Sequence, residues 1–286
     1  MTTASKVQAT EHDIELRGVR LHYRDWGNEG ATPLVLIHGL TSSSASFARV
    51  ADHFAERFHV IGLDQRGHGD SEWVGAEGYG TDEYVADLEA FVDALGLQQF
   101  VLMGHSMGGH HTIAYTARHA ERIICAVAND IPPALERDVE ASKAQYPGGR
   151  HPVQPSVDAW IEQQRPNAPF TPEHMHQLNA EAKLKAVEGG FVPKHDPQAS
   201  IHWAPKDLWD EARTIKRPIL FVRGGRSTVL DAQTLQDMDL QIAPARSITL
   251  EKSGHNTFYD MEPEFLHVVS DFIDAHLETT DEAPRG

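Results

Sequence analysis

The pentapeptide at 104–108, Gly-His-Ser-Met-Gly, places a serine between two glycines. It lies between an apolar run at 100–103 and a helix-like run that starts at Gly109. A Gly-x-Ser-x-Gly between a strand and a helix forms a sharp, strained turn that exposes the serine, and bulkier residues would collide at the glycine positions. The pattern therefore predicts that Ser106 is a nucleophile.

A serine hydroxyl is too weakly acidic to be a useful nucleophile near neutral pH without a general base. His255 is the candidate base, because it follows an apolar run at 247–250 and precedes the last helix-like run. This position places His255 in a loop at the carboxyl edge of a sheet, where the turn at Ser106 also emerges. The chain order, serine before histidine, is the one that such turns use.

Attack on a carbonyl creates an oxyanion, which needs two preorganised backbone amides. The amide of Met107, directly after the serine, is one candidate, and that of Leu40 is the other. Leu40 belongs to a turn that follows the apolar run at 34–37. In this turn, Gly39 allows the backbone to approach a ligand closely. We expect His38 to be a hydrogen-bonded residue rather than a base, and His38, Gly39 and His105 to border the substrate.

Apolar runs and helix-like runs alternate along most of the chain. Two short alternating segments, 14–17 and 19–26, predict antiparallel strands that open a sheet. Continuous apolar runs then predict strands buried on both faces, and the amphipathic runs between them predict helices. The predicted strands are 34–37, 60–63, 100–103, 123–128, 219–222 and 247–250, and the predicted helices are 45–58, 82–95, 109–119, 232–242 and 263–276.

The interval 131–217 breaks this alternation. It contains eight prolines between 132 and 172, and it has no strong strand run. Helix-like patches occur at 156–164, 172–187 and 206–215. Since a structureless loop of this length is improbable in a compact domain, we predict a helical cap at 131–217. Residues 1–130 and 218–286 then form the core, and Trp160 and Trp203 are expected to pack the cap and line a pocket.

These motifs, together with the segment at 64–71 (Asp-Gln-Arg-Gly-His-Gly-Asp-Ser), resemble the α/β-hydrolase fold superfamily over nearly the whole chain. The resemblance implies an α/β-hydrolase fold with a mostly parallel eight-stranded sheet, helices on both faces and a cap over the active site. It also implies a serine hydrolase that cleaves an ester, amide or activated C–C bond of a small molecule through an acyl-enzyme. In most members the turn at 64–71 is scaffold, so Asp64, Arg66 and His68 are assigned a structural role.

The acid of the implied triad is displaced from its usual place. The superfamily commonly places it after the strand that follows the cap, and here that position holds Ser227. A histidine base still requires a carboxylate on its other ring nitrogen. Asp130, at the end of the strand after the Ser106 helix, is favoured because some members use that location. Asp231 is the alternative.

Within the superfamily, the turns at 38–42 and 64–69, the carboxylate of Asp130 and the Ser227 loop are similar to the hydrolases of 2-(acetamidomethylene)succinate. That subfamily binds a dicarboxylate through cap arginines. The resemblance places Arg165 at one of these positions, while the segment at 142–145 offers Lys143 instead of the second arginine. A lysine does not replace the bidentate guanidinium fork.

The composition restricts the partners. With 25 Lys and Arg against 42 Asp and Glu, the formal charge is −17, which disfavours nucleic acid. The N-terminal residues lack the apolar core of an export signal, and the chain lacks a membrane-spanning run. We therefore expect no membrane anchoring, a cytoplasmic location and a small-molecule substrate, with a homodimer left open. The single Cys125 lies in an apolar run and permits no intrachain disulfide.

No metal and no cofactor are expected. The histidines at 105, 110 and 111 have no nearby Asp, Glu or Cys that would complete a zinc motif. Two other functions remain open on the same scaffold. A cofactor-independent dioxygenase uses a similar serine, histidine and acid. A ligand receptor would keep the triad and turn over slowly.

Overall fold

The computed structural model of the chain describes residues 7–281, with side chains described for 7–277. Its main sheet has eight strands in the order β1-β2-β4-β3-β5-β6-β9-β10. Strands β1, β2 and β4 pair antiparallel in that order, and all other neighbours pair parallel. The strands are β1 (Thr10–Leu16), β2 (Val19–Asp25), β3 (Pro33–Ile37), β4 (His59–Asp64), β5 (Phe100–His105), β6 (Ile123–Asn129), β7 (Leu184–Val187), β8 (Gly190–Pro193), β9 (Ile219–Gly224) and β10 (Ala245–Leu250). The predicted mostly parallel eight-stranded sheet is confirmed.

Helices flank the sheet on both faces. They are α1 (Ala48–Phe54), α2 (Thr81–Ala94), α3 (Met107–Arg118), α4 (Val139–Ala144), α5 (Val157–Gln164), α6 (Glu173–Lys183), α7 (Pro197–His202), α8 (Trp209–Ala212), α9 (Ala232–Gln241), α10 (Thr257–Asp260) and α11 (Glu262–Asp281). Short 3₁₀ turns occur at Ser44–Phe47, Ala76–Gly78, Pro147–Gly149 and Arg165–Asn167. Within residues 7–281, no helix has both the length and the apolar composition needed to cross a bilayer.

The continuous apolar runs give two cores because successive strand residues point to opposite faces. On β3, Val35 and Ile37 pack into one core with residues of α2, α3 and α9. Leu34 and Leu36 pack into the other core with residues of α1 and α11. A strand that is apolar at every position is thus buried on both sides.

The segment at 131–217, which we call the insert, connects β6 to β9. The sequence predicts a fully helical insert with a helix at 172–187, and this prediction is wrong at its end. Helix α6 stops at Lys183, and β7 pairs antiparallel with β8 as a hairpin. Gly189, in the intervening turn, and Gly190, the first residue of β8, have φ of 85° and 149°, and glycine adopts such backbone conformations without a Cβ penalty. The predicted helix at 206–215 is limited to α8.

The insert contacts the loops that follow the carboxyl ends of the strands. The Ser43 hydroxyl, after β3, donates to the Ala182 carbonyl at 2.7 Å. The Asp196 amide donates to the Gly67 carbonyl, after β4, at 2.7 Å. The insert therefore covers the sheet edge where the motif residues emerge. The division into a core and a cap stays a prediction, and its outermost residues lie outside the described range.

A buried ion pair joins the turn after β4 to helix α2. The Arg66 guanidinium donates through Nε and Nη2 to the two carboxylate oxygens of Asp87, both at 2.6 Å. Arg17 adds a further donor to Asp87 at 2.8 Å. The side chains of Arg66 and Asp87 are 5% and 3% exposed. Because removal of one partner leaves a buried charge, this pair is more sensitive to mutation than an exposed one.

We expect Asp87→Ala to lower the free energy of unfolding by roughly 3 kcal/mol, since it removes the buried carboxylate of Arg66 and leaves Glu83, at 3.3 Å, as the remaining acidic partner. The control is Asp93→Ala, which breaks an exposed pair with Arg122 and costs about 1 kcal/mol or less. Urea unfolding followed by circular dichroism measures both. Equal losses for the two variants would contradict the prediction.

Candidate active site

Ser106 occupies the turn between β5 and α3, with φ of 54° and ψ of −119°. A Cβ on Gly104 would lie 2.2 Å from the Gly108 carbonyl oxygen, and a Cβ on Gly108 would lie 2.1 Å from the Ile37 carbonyl oxygen. Real Cβ atoms do not come so close to backbone atoms, so both positions require glycine. The strained backbone of Ser106 is thus held by close packing of the turn against β3 and α3.

His255 and Asp130 meet at the same edge of the sheet. The Nδ1 atom of His255 lies 2.6 Å from Oδ2 of Asp130, whose side chain is fully buried. Asp130 follows β6 with φ of 52°. The Ser227 hydroxyl donates to the same Oδ2 at 2.5 Å, and the Gly224 amide donates to Oδ1 at 2.9 Å. Ser227, at the position where the superfamily commonly places its acid, therefore donates a hydrogen bond to Asp130.

Asp231, the alternative acid, lies elsewhere. It is exposed at the N-cap of α9, where its carboxylate accepts from the Thr234 amide at 2.9 Å and the Thr234 hydroxyl at 2.7 Å. These hydrogen bonds lower the pKa of Asp231. The structure thus brings Asp130, and not Asp231, to His255.

The turn after β3 lies against Ser106. A Cβ on Gly39 would be 3.1 Å from the Cβ of Ser106. The His38 ring donates from Nδ1 to the Gly39 carbonyl at 2.8 Å, and its Nε2 accepts from the Gln65 amide at 3.0 Å. Burial lowers the pKa of His38, which favours the neutral ring that this pattern requires. His38 is therefore a buried part of the turn.

The two amides predicted for the oxyanion belong to Leu40, in this turn, and Met107. Met107 is the first residue of α3, and amides in the first turn of a helix have no acceptor within the helix. Thr41, next to Leu40, has φ of 64°, which is unusual for a β-branched residue. The roles of Leu40 and Met107 stay a prediction.

His105 supports the loop that carries His255. Its Nε2 donates to the His255 carbonyl at 2.9 Å, and the two rings are 4.7 Å apart. Burial lowers the pKa of His105 well below its usual value, so the ring is neutral. His105 is expected from the sequence to border the substrate, and that role stays a prediction.

Asp260 holds the other side of the loop that carries His255 and is not evident from the sequence. Its Oδ2 accepts from the Gly254 amide at 2.8 Å and from the Ser253 hydroxyl at 3.2 Å. Its Oδ1 accepts from the hydroxyl of Thr171, in the insert, at 2.6 Å. Burial raises the pKa of Asp260. The Asp260 carboxylate, five residues after His255, thus connects the loop that carries His255 to the insert.

The insert residues expected to contact substrate lie in different surroundings. Trp160 lines a cavity of about 470 Å³ between the insert and the turn after β3. Trp203 is buried in a cluster that includes Met107. The Arg165 guanidinium is paired with Glu162 at 2.8 Å and with Glu173 at 2.6 Å. Its charge is therefore already neutralised by two carboxylates of the insert.

Two lysines of the insert, Lys143 and Lys183, also lie in different surroundings. Lys143 is paired with Glu140 at 2.7 Å on α4. Lys183, the last residue of α6, lines the 470 Å³ cavity. Lys183 is not evident from the sequence, because its position at the cavity depends on the end of α6 and on the hairpin that follows.

One group of described residues has the geometry of possible metal ligands. The ligand atoms of His22, Asp64 and Asp70 lie within 4.8 Å of one another. Lys194 contacts Asp70 at 2.6 Å, and the Arg24 guanidinium lies 3.6 Å from each carboxylate. These two cations already supply positive charge to the carboxylates, which makes the group a poor cation site.

Comparison with known families matches residues 32–261 to the family described as alpha/beta hydrolase fold. A 2-(acetamidomethylene)succinate hydrolase from Mesorhizobium japonicum is 27% identical over 270 residues, which cover 92% of this chain and 94% of that protein. An N-formylmaleamate deformylase from Pseudomonas putida is 27% identical over 271 residues, which cover 93% and 97% of the two chains.

Solved structures agree with this assignment at the level of the fold. The crystal structure of E-2-(acetamidomethylene)succinate hydrolase superposes with a TM-score of 0.83 at 24% identity and covers 93% of this chain and 100% of that one. The resemblance inferred from the sequence is confirmed. The chain belongs to the α/β-hydrolase fold family and is an enzyme of that family.

Proposed function

We propose that the chain is a serine hydrolase that cleaves a small carboxylic ester or amide through Ser106, His255 and Asp130. The observation that carries this proposal is the 2.6 Å contact between Asp130 Oδ2 and His255 Nδ1, at the sheet edge where Ser106 occupies its strained turn. A carboxylate on Nδ1 fixes the proton on that nitrogen and leaves Nε2 free to accept another. His255 is thus oriented as a base.

The reaction proceeds in two halves. His255 takes the proton of the Ser106 hydroxyl through Nε2 as the oxygen attacks the carbonyl carbon. The amides of Leu40 and Met107 donate to the oxyanion. Collapse of the tetrahedral intermediate expels the alcohol or amine, which receives the proton from His255. Water, activated in the same way, then releases the acid and restores Ser106.

The comparisons support hydrolysis. The type of bond that is cleaved belongs to the proposal alone. Two relatives carry names that describe a hydrolase and a deformylase of small organic acids. A third, from Cupriavidus necator, is named as a 3-hydroxybutyrate-oligomer hydrolase and is 29% identical over 262 residues, covering 84% of this chain and 89% of that one. An activated C–C bond is within reach of the same chemistry. Trp160, Trp203 and Arg165 stay predicted substrate contacts, and the cytoplasmic location and the homodimer are part of the same proposal.

The test is labelling with a fluorophosphonate probe, which reacts with an activated serine. We expect the wild-type chain to be labelled and Ser106→Ala to remain unlabelled, because the variant lacks the nucleophile. A panel of nitrophenyl esters and anilides then measures turnover. Absence of both labelling and turnover would contradict the proposal. Oxygen uptake with an aromatic substrate would favour a dioxygenase, and tight ligand binding without turnover would favour a receptor.

The assignment of the acid has its own test. We expect Asp130→Asn to lower kcat by about 10⁴-fold, because the amide favours the wrong tautomer of the histidine. The matched change Asp231→Asn is expected to leave kcat close to wild type, since Asn caps a helix as well as Asp does. Steady-state kinetics on one ester measures both variants. A large loss in Asp231→Asn alone would show that the acid is misassigned.

A further inference from the structure

A chain of buried hydrogen bonds links helix α3 to the turn after β3. Nδ1 of His111, on α3, lies 2.6 Å from Oε1 of Gln65, and Nε2 of Gln65 donates to the His38 carbonyl at 2.7 Å. The Gln65 amide donates to Nε2 of His38 at 3.0 Å, and Nδ1 of His38 donates to the Gly39 carbonyl at 2.8 Å. Gln65, His111 and His38 are 4%, 1% and 0% exposed, so bulk water does not compete for these bonds.

The direction of each hydrogen bond in this chain is fixed by its partner. The His38 carbonyl only accepts, so the side-chain nitrogen of Gln65 faces it and Oε1 faces His111. Since Oε1 also only accepts, the proton of the His111 ring lies on Nδ1. Burial lowers the pKa of His111 well below its usual value, which keeps the ring neutral with this single proton. Nε2 of His111 has no hydrogen-bond partner among the described residues, so the ring donates to Gln65 alone.

The hydrogen-bond chain ends on the peptide groups that set the direction of the Leu40 amide. A trans peptide group is planar, so the Gly39 carbonyl and the Leu40 N–H point in opposite directions from one rigid unit. Nδ1 of His38 holds that carbonyl at 2.8 Å, and the Ser42 amide donates to it at 3.1 Å. Gln65 holds the preceding peptide group through the His38 carbonyl. The orientation of the Leu40 N–H therefore depends on His38 and Gln65.

Helix α3 also carries the other amide predicted for the oxyanion. Met107 is the first residue of α3, and His111 lies about one turn further along the helix. A Cβ on Gly108 would lie 2.6 Å from the His38 carbonyl oxygen, so the turn after β3 packs directly against the start of α3. The hydrogen-bond chain from His111 thus fixes the turn that carries Leu40 relative to the helix that carries Met107.

We propose that Gln65, held by His111, is a positioning residue that keeps the Leu40 amide directed at the oxyanion of the tetrahedral intermediate. This role rests on the serine hydrolase function proposed above and adds two residues that act through the turn after β3. Among the described residues, no acceptor is bonded to the Leu40 amide. An oxyanion forms only as the serine attacks, so a directed amide stabilises the transition state more than the bound substrate.

The first variant is Gln65→Met, which keeps an unbranched side chain of similar length and removes its amide. The buried His38 carbonyl then loses its side-chain donor, and the turn loses its support. We expect kcat per active site to fall by about 10- to 100-fold with KM close to wild type, because removal of a whole oxyanion donor costs about 10²- to 10³-fold. The substrate is the nitrophenyl ester or anilide that the wild type hydrolyses fastest, and titration with the fluorophosphonate probe counts the active sites.

Inhibition by a trifluoromethyl ketone with the same acyl chain separates positioning from a loss of folded protein. The Ser106 oxygen adds to the ketone carbon, the hydroxyl proton passes to His255, and the carbonyl oxygen becomes an oxyanion. The inhibition constant Ki should rise in Gln65→Met by the same factor as kcat falls. A loss of folded protein lowers the rate and leaves Ki unchanged. The control is Ile113→Val, at a buried core position of the same helix, which should lower stability and leave Ki and kcat per active site unchanged.

The role of His111 is tested by two further substitutions. An Asn side chain donates an N–H in the place of the ring Nδ1–H, whereas Leu has no donor. We expect His111→Leu to reproduce the changes of Gln65→Met in kcat and Ki, and His111→Asn to recover most of both. Equal values in His111→Leu and His111→Asn overturn the role of this hydrogen bond.

The outcomes also separate this inference from the function on which it rests. Wild-type values of kcat and Ki in Gln65→Met, in a chain whose wild type hydrolyses the substrate, overturn the inference and leave the hydrolase function intact. A wild-type chain that neither reacts with the fluorophosphonate nor hydrolyses any substrate of the panel overturns both.

Discussion

The arrangement of the site residues depends on the carboxylate of Asp130. It is fully buried, and a buried carboxylate is tolerated only when donors surround it. The donors come from the Gly224 amide at the end of β9, the Ser227 hydroxyl and the ring of His255. One side chain thus fixes the end of β6 relative to two segments that follow it by about a hundred residues in the chain. His255 is held beside Asp130 because the scaffold satisfies the remaining hydrogen-bonding capacity of this carboxylate.

Backbone strain accompanies the same arrangement. Thr41, Ser106 and Asp130 all have positive φ, and they follow the neighbouring strands β3, β5 and β6. Residues held in such conformations persist only where their surroundings fix them, and they concentrate at functional sites. Three of the five non-glycine residues with positive φ in the described part of the chain therefore lie at the carboxyl edge of three adjacent strands, which the insert covers.

The sequence predicts the sheet, most helices, Ser106 and His255 from local signals: continuous apolar runs, a glycine-flanked serine and a residue after a strand. Asp130 is favoured over Asp231 through the resemblance to the superfamily, some members of which place the acid at that strand end. The sequence does not predict features that require distant residues to meet. The sequence alone does not show a partner for Arg165, whereas in the structure its guanidinium lies 2.6 Å from the Glu173 carboxylate. The residues of β7 continue the helix-like pattern of α6, so the sequence does not indicate the β7–β8 hairpin. Lys183 and Asp260 gain their surroundings only from tertiary packing.

The hydrogen bond between Thr171 and Asp260 couples the insert to the loop that carries His255. A movement that lifts this part of the insert off the sheet separates the Thr171 hydroxyl from the carboxylate and lets water reach it. The hydrated carboxylate then holds the Gly254 amide less firmly, and Gly254 directly precedes His255. One carboxylate thus ties the position of Thr171, in the insert, to the position of the backbone that directly precedes His255.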